Sequence, residues 1–312
     1  MMFNRIIKIS LVLLLTVLVS CFTGDDDLEE SNDPFDKSVQ AIEIKDNVVW
    51  VGTAGNGLYK FENDIWNNYT SEDGLLSDEI TSLVVDNDGS VWMGTKMGVA
   101  KLEGENITTY TTDDGLYVDD IRSITCDDEN NIWIGTSRNR VIKFDGTNFT
   151  THHVNAEFSG EPGMGHIHTL ACDNDGNVWA GSCMTGLSRF DGTNWSDYVN
   201  DLNVFVTSSA CSSGGEVWIG HISGAYSCYN NEWTHYSEET GMSDNTVLSV
   251  DIDGDENVWV GTKNGISEFD GSSWFNYAIE DTLFNDYVSS LACARDGKVW
   301  IGNSYGLKIV TP

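Results

Sequence analysis

Arginine and histidine residues with the spacing of a binding site occur in two short stretches of the sequence. The first stretch holds Arg138 and Arg140, and the second holds His166 and His168, which are separated by one residue. On a β-strand this His-x-His spacing places both imidazoles on one side, which suits a metal ion, but the sequence fixes no third ligand. Guanidinium and imidazole groups also bind anionic or sugar-like ligands through charged hydrogen bonds. We therefore predict a ligand site, with no metal ion and no cofactor.

The elements that must position these side chains form a repeat with a period near 40 residues. Seven tryptophans share one context, in which an apolar residue precedes the Trp and Gly follows two residues later: Trp50, Trp92, Trp133, Trp179, Trp218, Trp259 and Trp300. Each unit is divided by turn residues into four short apolar segments. The segment around Trp is apolar at consecutive positions, which is typical of a strand buried on both faces.

This repeat predicts an all-β fold, a seven-bladed β-propeller with four-stranded antiparallel blades. Seven units of about 39 residues fill residues 38–312, with no length for a second domain. A straight β-solenoid is the alternative, but its repeats are usually shorter. The last unit stops after its third segment, so we predict a three-stranded last blade.

The units also share longer motifs, such as Asp73-Gly74-Leu75 leading to Ile80 and Asp114-Gly115-Leu116 leading to Ile121. With D-x-x-G-x-V-W-x-G-T and G-L-x-x-F-D-G-x-x-W-x-x-Y, this pattern resembles the two-component regulator propeller repeats. The resemblance implies an extracytoplasmic propeller, often the part of a hybrid sensor kinase that detects glycan fragments. Streptogramin lyases are similar in being seven-bladed propellers.

The connectivity of such blades predicts which end of the propeller carries a ligand. The connections between blades and the turns between second and third strands share one face, and this is where the repeat varies. Three further candidates lie there: His221, which replaces a common Thr, Tyr287 and Tyr305. The opposite face has uniform acidic turns, such as Asp86 with Asp88, which lack the remaining ligands of a calcium loop and are predicted as hairpin turns.

The predicted function is therefore non-catalytic binding of a small glycan-like ligand or a protein partner by a monomer. No nucleophile–base pair is visible in the sequence. The alternative is a propeller lyase or hydrolase that uses His166, His168 and His221. The net charge of -33 argues against nucleic acid and anionic lipid surfaces as partners.

Four of the seven cysteines occupy one position of the repeat, seven residues before the Trp: Cys126, Cys172, Cys211 and Cys293. Val85 and Ile252 fill the same position in other units, so a small apolar side chain is required there. We predict that most of these thiols are free. The state of Cys183 and Cys228 is left open.

The N-terminus has the pattern of an exported lipoprotein. Residues 1–20 combine a short basic start with an apolar run too short to span a bilayer, which predicts a signal peptide. The run ends in a lipobox-like Leu-Val-Ser-Cys, so Cys21 is the predicted lipidation site; an ordinary secretory signal is the alternative. Residues 21–37 form a predicted acidic, flexible tether that resembles the export tag of surface lipoproteins in the Bacteroidota. We expect an outer-membrane lipoprotein, on the periplasmic or the surface-exposed side, with the membrane contacted only through the lipid.

Overall fold

The structure is a computed structural model that describes residues 38–154, 165–183, 185–198, 205–277 and 287–311. The predicted signal peptide, Cys21 and the predicted tether lie outside these residues. Within the described ranges, no helix is both long and apolar enough to cross a bilayer.

The described residues form 27 strands in seven sheets. Blade 1 comprises β1 (Val39–Lys45), β2 (Val48–Thr53), β3 (Leu58–Glu62) and β4 (Ile65–Tyr69), and blade 2 comprises β5 (Ile80–Val85), β6 (Val91–Thr95), β7 (Gly98–Glu103) and β8 (Asn106–Tyr110). Blade 3 comprises β9 (Ile121–Cys126), β10 (Ile132–Thr136), β11 (Arg140–Phe144) and β12 (Phe149–His153), and blade 4 comprises β13 (Ile167–Cys172), β14 (Val178–Ser182), β15 (Gly186–Phe190) and β16 (Trp195–Asp197). Blade 5 comprises β17 (Val206–Cys211), β18 (Val217–His221), β19 (Gly224–Tyr229) and β20 (Glu232–Tyr236), and blade 6 comprises β21 (Val247–Ile252), β22 (Val258–Thr262), β23 (Gly265–Phe269) and β24 (Trp274–Tyr277). Blade 7 comprises β25 (Ser290–Cys293), β26 (Val299–Asn303) and β27 (Gly306–Val310).

Each sheet is an antiparallel meander in chain order, and we call its strands A, B, C and D from the first to the last. Each A strand contacts the A strands of the two neighbouring blades, and β25 contacts β1, so the A strands form a closed inner ring. The predicted propeller and its three-stranded last blade are therefore confirmed. The first and last blades are adjacent, since the rings of Trp66 and Trp300 are 6.3 Å apart.

The Trp and Gly of the repeat serve the packing of one blade on the next. Trp50 is buried in one cluster with Ile80 and Leu83 of blade 2, and the same kind of cluster joins every neighbouring pair of blades. A Cβ on Gly52 would lie only 2.7 Å from Cγ2 of Ile80, and the glycines of the other blades meet the next A strand in the same way. Because neighbouring blades approach this closely, only Gly fits at this position.

The acidic turns between strands A and B have a structural role. One carboxylate oxygen of Asp86 accepts hydrogen bonds from the backbone N–H of Asp88 (3.0 Å) and Ser90 (2.8 Å), and the other accepts from Nε1 of Trp92 (2.8 Å). Asp127, Asp173 and Asp253 accept from the Trp of their own blades in the same way. These bonds agree with the prediction of hairpin turns.

Short 3-10 turns precede three of the A strands and explain the Asp-Gly-Leu motif. In the first of them, Ser71–Asp73, the Asp73 carboxylate accepts a hydrogen bond from the Thr70 N–H (2.9 Å). Gly74 ends the turn with φ 112°, a conformation that favours Gly. Leu75 is then buried.

The six cysteines within the described residues are free thiols, including Cys183 and Cys228. Burial raises the pKa of Cys126 to about 11 and that of Cys211 to about 12. These thiols therefore remain protonated and unreactive at neutral pH.

Candidate functional site

The register of the strands defines two faces of the propeller. The start of β1 pairs with the end of β2, and the start of β3 pairs with the end of β4. The B–C turns and the D–A connections between blades therefore share one face, which we call the loop face. The A–B and C–D turns form the opposite face, which we call the turn face.

All seven predicted ligand residues lie on the loop face. Arg138 lies in the B–C turn of blade 3, and Arg140 begins β11 directly after it. His166 directly precedes β13, and His168 is the second residue of that strand. The other three are in blades 5 and 7: His221 ends β18, Tyr287 precedes β25, and Tyr305 lies in the B–C turn of blade 7.

A β-bulge near the start of the A strand re-aims one side chain in each of the first six blades. The register shifts between Ile121 and Ser123 in blade 3 and between Ile167 and Thr169 in blade 4, so Arg122 and His168 are the bulged residues. The same slot holds Gln40, Thr81, Thr207 and Leu248 in the other blades. Bulges often turn a side chain toward a functional site.

The residues of blades 3 and 4 meet in one group, which we call the blade 3/4 cluster: Asp120, Arg122, Arg138, Asn139, Arg140, His166 and His168. The B–C turn contacts the preceding connection, since the Ser137 N–H donates to the Asp120 carbonyl (3.0 Å). Nη2 of Arg122 donates to the Asp120 carboxylate (3.0 Å).

Blade 4 completes the cluster. Gly165 packs on Asn139, because a Cβ added to Gly165 would lie 3.4 Å from the Asn139 side chain. The adjacent His166 ring is 5.8 Å from the His168 ring in an edge-to-face arrangement. The guanidinium of Arg140 lies 5.9 Å from the centre of the Tyr117 ring.

Several polar atoms of this cluster lack a hydrogen-bond partner. Among the described residues, fourteen buried side-chain nitrogen or oxygen atoms have no partner. Five belong to the blade 3/4 cluster: Oδ1 of Asp120, Nε of Arg122, Oδ1 of Asn139, Nε of Arg140 and Nδ1 of His166. Buried polar groups are normally paired, so a local concentration of unpaired ones marks a place where a ligand or water completes the bonding.

The cluster gathers basic side chains in a chain whose net charge is -33. Burial lowers the pKa of His168, and the positive charges of His166 and Arg122 lower it further. Three of the six arginines of the sequence lie here. The cluster therefore favours a negatively charged group.

His221 has a structural contact in its own turn. Its Nδ1 accepts a hydrogen bond from the Ser223 N–H (3.0 Å) and lies 2.7 Å from the Ser223 hydroxyl. In blade 2 the Thr95 hydroxyl accepts the equivalent bond from the Met97 N–H (3.0 Å). The imidazole thus takes over the turn-closing role of the Thr that it replaces.

The loop face also exposes large apolar side chains. Of the eight most exposed ones among the described residues, five lie on this face: Met97, Tyr117, Phe205, Ile222 and Tyr305. Phe205 is 48% exposed and has φ 69°, a backbone conformation that is uncommon for an aromatic residue. An aromatic side chain held exposed in this way is a candidate contact for a ligand.

Sequence reasoning missed Arg122 and Asn139. Arg122 occupies a position that holds Thr in two other blades, so an alignment of the repeats could have shown it as an unusual charge.

Within the described residues, no group of three or more His, Cys, Asp or Glu side chains is placed to hold a metal ion.

Two half-buried acidic residues lie in the inner ring, away from the loop face. Burial and the negative charge of Asp251 raise the pKa of Glu43 to about 8. Burial also raises the pKa of Asp251, although its carboxylate accepts a hydrogen bond from the Cys293 N–H (2.8 Å). Glu43 belongs to blade 1 and Asp251 to blade 6, on the two sides of blade 7.

The fold and the loop face define a seven-bladed propeller with a candidate binding surface at one end. Three segments of the chain, residues 74–97, 118–138 and 282–305, match the model of the two-component regulator propeller family. These three segments are thus similar to two-component regulator propeller repeats. A comparison with curated protein sequences found no match.

Solved structures share the fold at low sequence identity. The extracellular domain of a hybrid two-component system of Bacteroides thetaiotaomicron is 20% identical, with a TM-score of 0.71 over 89% of this chain and 39% of that chain. A second such domain from the same bacterium is 17% identical, with a TM-score of 0.69 over 89% and 38%. Virginiamycin B lyase of Staphylococcus aureus is 13% identical, with a TM-score of 0.73 over 88% and 94%. The chain therefore spans about two fifths of the length of the two extracellular domains.

Proposed function

We propose that the protein is an exported binding propeller of the sensor type, which binds a glycan-like ligand on its loop face. The observation that carries this proposal is the set of exposed apolar side chains on that face. Exposed apolar groups gathered on one surface of a soluble domain are typical of an interaction site. Aromatic side chains such as Phe205 and Tyr305 offer flat apolar surfaces on which sugar rings can stack.

The setting of the proposed sensor rests on the predicted lipid at Cys21. The similar domains of B. thetaiotaomicron are described as extracellular parts of two-component systems. Anchored by its lipid at the outer membrane, the propeller would capture the ligand outside the cytoplasm. The acidic surface would keep it away from anionic headgroups.

Variants of two exposed aromatic residues test the loop face directly. Phe205→Ala and Tyr305→Ala remove side chains that are 48% and 55% exposed. Phe275→Ala, on an outermost strand, and Tyr229→Ala, at the turn face, are controls with 48% and 54% exposure. Lost stacking should weaken binding about two- to tenfold in the first pair only. The measurement is binding of labelled protein to an oligosaccharide array, followed by titration of the best oligosaccharide.

Two results would contradict the proposal. One is an equal loss of affinity in the control variants, which would place binding elsewhere. The other is the absence of any bound oligosaccharide together with a bound protein that depends on Phe205 and Tyr305. That second result would retain the loop face as the binding surface but replace the glycan with a protein partner.

A lyase is the second candidate, because the structure brings His166 and His168 together on the loop face. Their rings lie near the positive charge of Arg122, which could stabilise negative charge that develops during a reaction. Incubation of the protein with quinupristin, which accompanies a similar lyase in a solved structure, tests this candidate. Cleavage of quinupristin that disappears in His166→Asn would support a lyase, and an unchanged compound would exclude this substrate.

A further inference from the structure

The blade 3/4 cluster has the chemistry of a site for one particular kind of ligand. Resting on the proposed function, we propose that it binds a hydroxylated anion of the uronic acid type. The anionic group is held by Arg122, Arg140 and His166. The hydroxyl groups beside it donate to Asp120 and Asn139.

Unused donors on positively charged groups account for the anion. Nε of Arg122 and Nε of Arg140 are buried N–H donors without a partner among the described residues. Nδ1 of His166 is also buried and unpaired, and a protonated or suitably tautomeric imidazole can donate through it. A carboxylate or sulfate accepts several such bonds, and each is strengthened by charge.

Unused acceptors in the same cluster account for the hydroxyl groups. Oδ1 of Asp120 and Oδ1 of Asn139 accept no hydrogen bond, and Asn139 is only 5% exposed. An inorganic anion that has only acceptor atoms would leave both of these oxygens without a hydrogen-bond donor. A sugar acid presents hydroxyl donors next to its anionic group, so it satisfies both kinds of unpaired atom.

The asymmetry of the propeller supports a ligand rather than a structural role. In blade 2 and blade 5 the bulged residues are Thr81 and Thr207, whose hydroxyls donate to the next A strand (both 2.9 Å). Arg122 instead contacts Asp120 of its own blade. A charged residue here is therefore not required for closing the ring.

The experiment compares sugars that differ only in charge. Mature protein is titrated with methyl β-D-glucuronide, methyl β-D-galacturonide and their neutral glycosides, and with methyl glucoside 6-sulfate to separate carboxylate from sulfate. At least one anionic glycoside should bind more tightly than its neutral counterpart. Arg122→Gln and Arg140→Gln should each weaken that binding about ten- to a hundredfold, as expected for a lost charged hydrogen bond.

Arg295→Gln is the matched control, since Arg295 is an exposed arginine at the turn face. It removes the same charge and should leave the affinity unchanged. Arg122→Lys keeps the charge without the planar fork and should restore part of the affinity. NMR titration of His168 gives a second readout, because a bound anion should raise its pKa. Thermal melting of each variant checks that it is folded.

The outcomes separate this proposal from the proposed function. If neutral glycosides bind as tightly as the anionic ones and depend on Phe205 and Tyr305, the sensor proposal stands and the anion site is refuted. If the anionic glycosides bind through Arg122 and Arg140 but Phe205→Ala and Tyr305→Ala have no effect, the anion site stands and the apolar surface is refuted. An equal loss in Arg295→Gln would also refute the anion site.

Discussion

Glu43 shows how a single residue of the inner ring makes stability depend on pH. Glu43 is half-buried on β1, and its carboxyl group lies near the negative charge of Asp251. Lys45, on the same strand, donates to the carbonyl oxygens of Val85 (3.3 Å) and Asp86 (2.7 Å) in blade 2. Its positive charge offsets only part of the cost of ionising Glu43.

Because the pKa of Glu43 is raised to about 8, the folded state binds its proton more tightly than the unfolded state. The resulting stability is fully present below the ordinary carboxyl pKa of 4.5 and is lost as the pH rises through about 8. Glu43→Gln should reduce the fall in unfolding free energy between pH 5 and pH 9. Urea unfolding at several pH values measures this slope. Glu239→Gln, at an exposed position, is the control, and an equal slope in wild type and Glu43→Gln would disprove the effect.

At the residue scale the sequence predicted the candidate site only in part. Arg138, Arg140, His166 and His168 stood out because they interrupt the repeat, and the structure brings them into one cluster. Asn139 could not be predicted, since its importance comes from one buried, unpaired oxygen. The turn-closing role of His221 was also hidden, because it depends on the ring nitrogen that faces the Ser223 N–H.

At the scale of the element, the A–B turn is the feature that most clearly repeats. Asp173 accepts from the N–H of Asp175 (3.1 Å) and Asn177 (2.9 Å), and from the Trp179 indole (2.8 Å). Blade 5 has Ser212 at this position, and among the described residues Nε1 of Trp218 has no partner. The A–B turn is thus hydrogen-bonded to the buried Trp of its own blade in some blades, but not in blade 5.

Exchange of these two turn residues should change stability in opposite directions. Asp173→Ser leaves the buried Trp179 indole unpaired and should cost about 1–3 kcal/mol. Ser212→Asp, made together with Glu216→Asn to avoid like charges, should supply the missing partner and contribute about 1 kcal/mol relative to Glu216→Asn alone. Thermal and urea unfolding measure both changes. A stabilising Asp173→Ser or a destabilising Ser212→Asp would show that the indole bond is unimportant.

The strands themselves were predictable because their apolar residues recur with the period of the repeat, as they do in β5, Ile80–Val85. The bulges in the A strands were not predictable. A bulge adds one residue without changing the apolar pattern on either side, so only the pairing of the strands shows it.

At the scale of the whole molecule, closure of the ring depends on the contact between blades 7 and 1. A Cβ on Gly302 would lie 2.6 Å from the Ser290 hydroxyl and 2.8 Å from Cβ of Val39, the first residue of β1. The number of blades could be predicted by counting the repeats. The close packing between blades 7 and 1 could not be predicted, because it joins residues from opposite ends of the sequence.

Gly302→Ala should therefore destabilise the closed ring by about 1–3 kcal/mol through overpacking. Gly55→Ala is the matched control, since a Cβ there meets no atom within 4 Å. Val39→Ala removes the methyl groups that clash and should restore part of the stability of Gly302→Ala. Melting temperatures of the single and double variants test this coupling. Additive effects of the two substitutions would mean that the contact between blades 7 and 1 is open in solution.

The bulges described above place variable side chains at positions separate from the residues that pack the blades together. The Trp and Gly of each unit are constrained by their neighbours, whereas the bulged residue ranges from Gln and Leu to Arg and His while the strand pairing is kept. Each of the first six blades thus has one position at which the side chain can vary without a change in strand pairing. A combinatorial library that varies only these bulged positions should retain the fold while sampling new ligand specificities. Bulged residues of neighbouring blades would act in pairs.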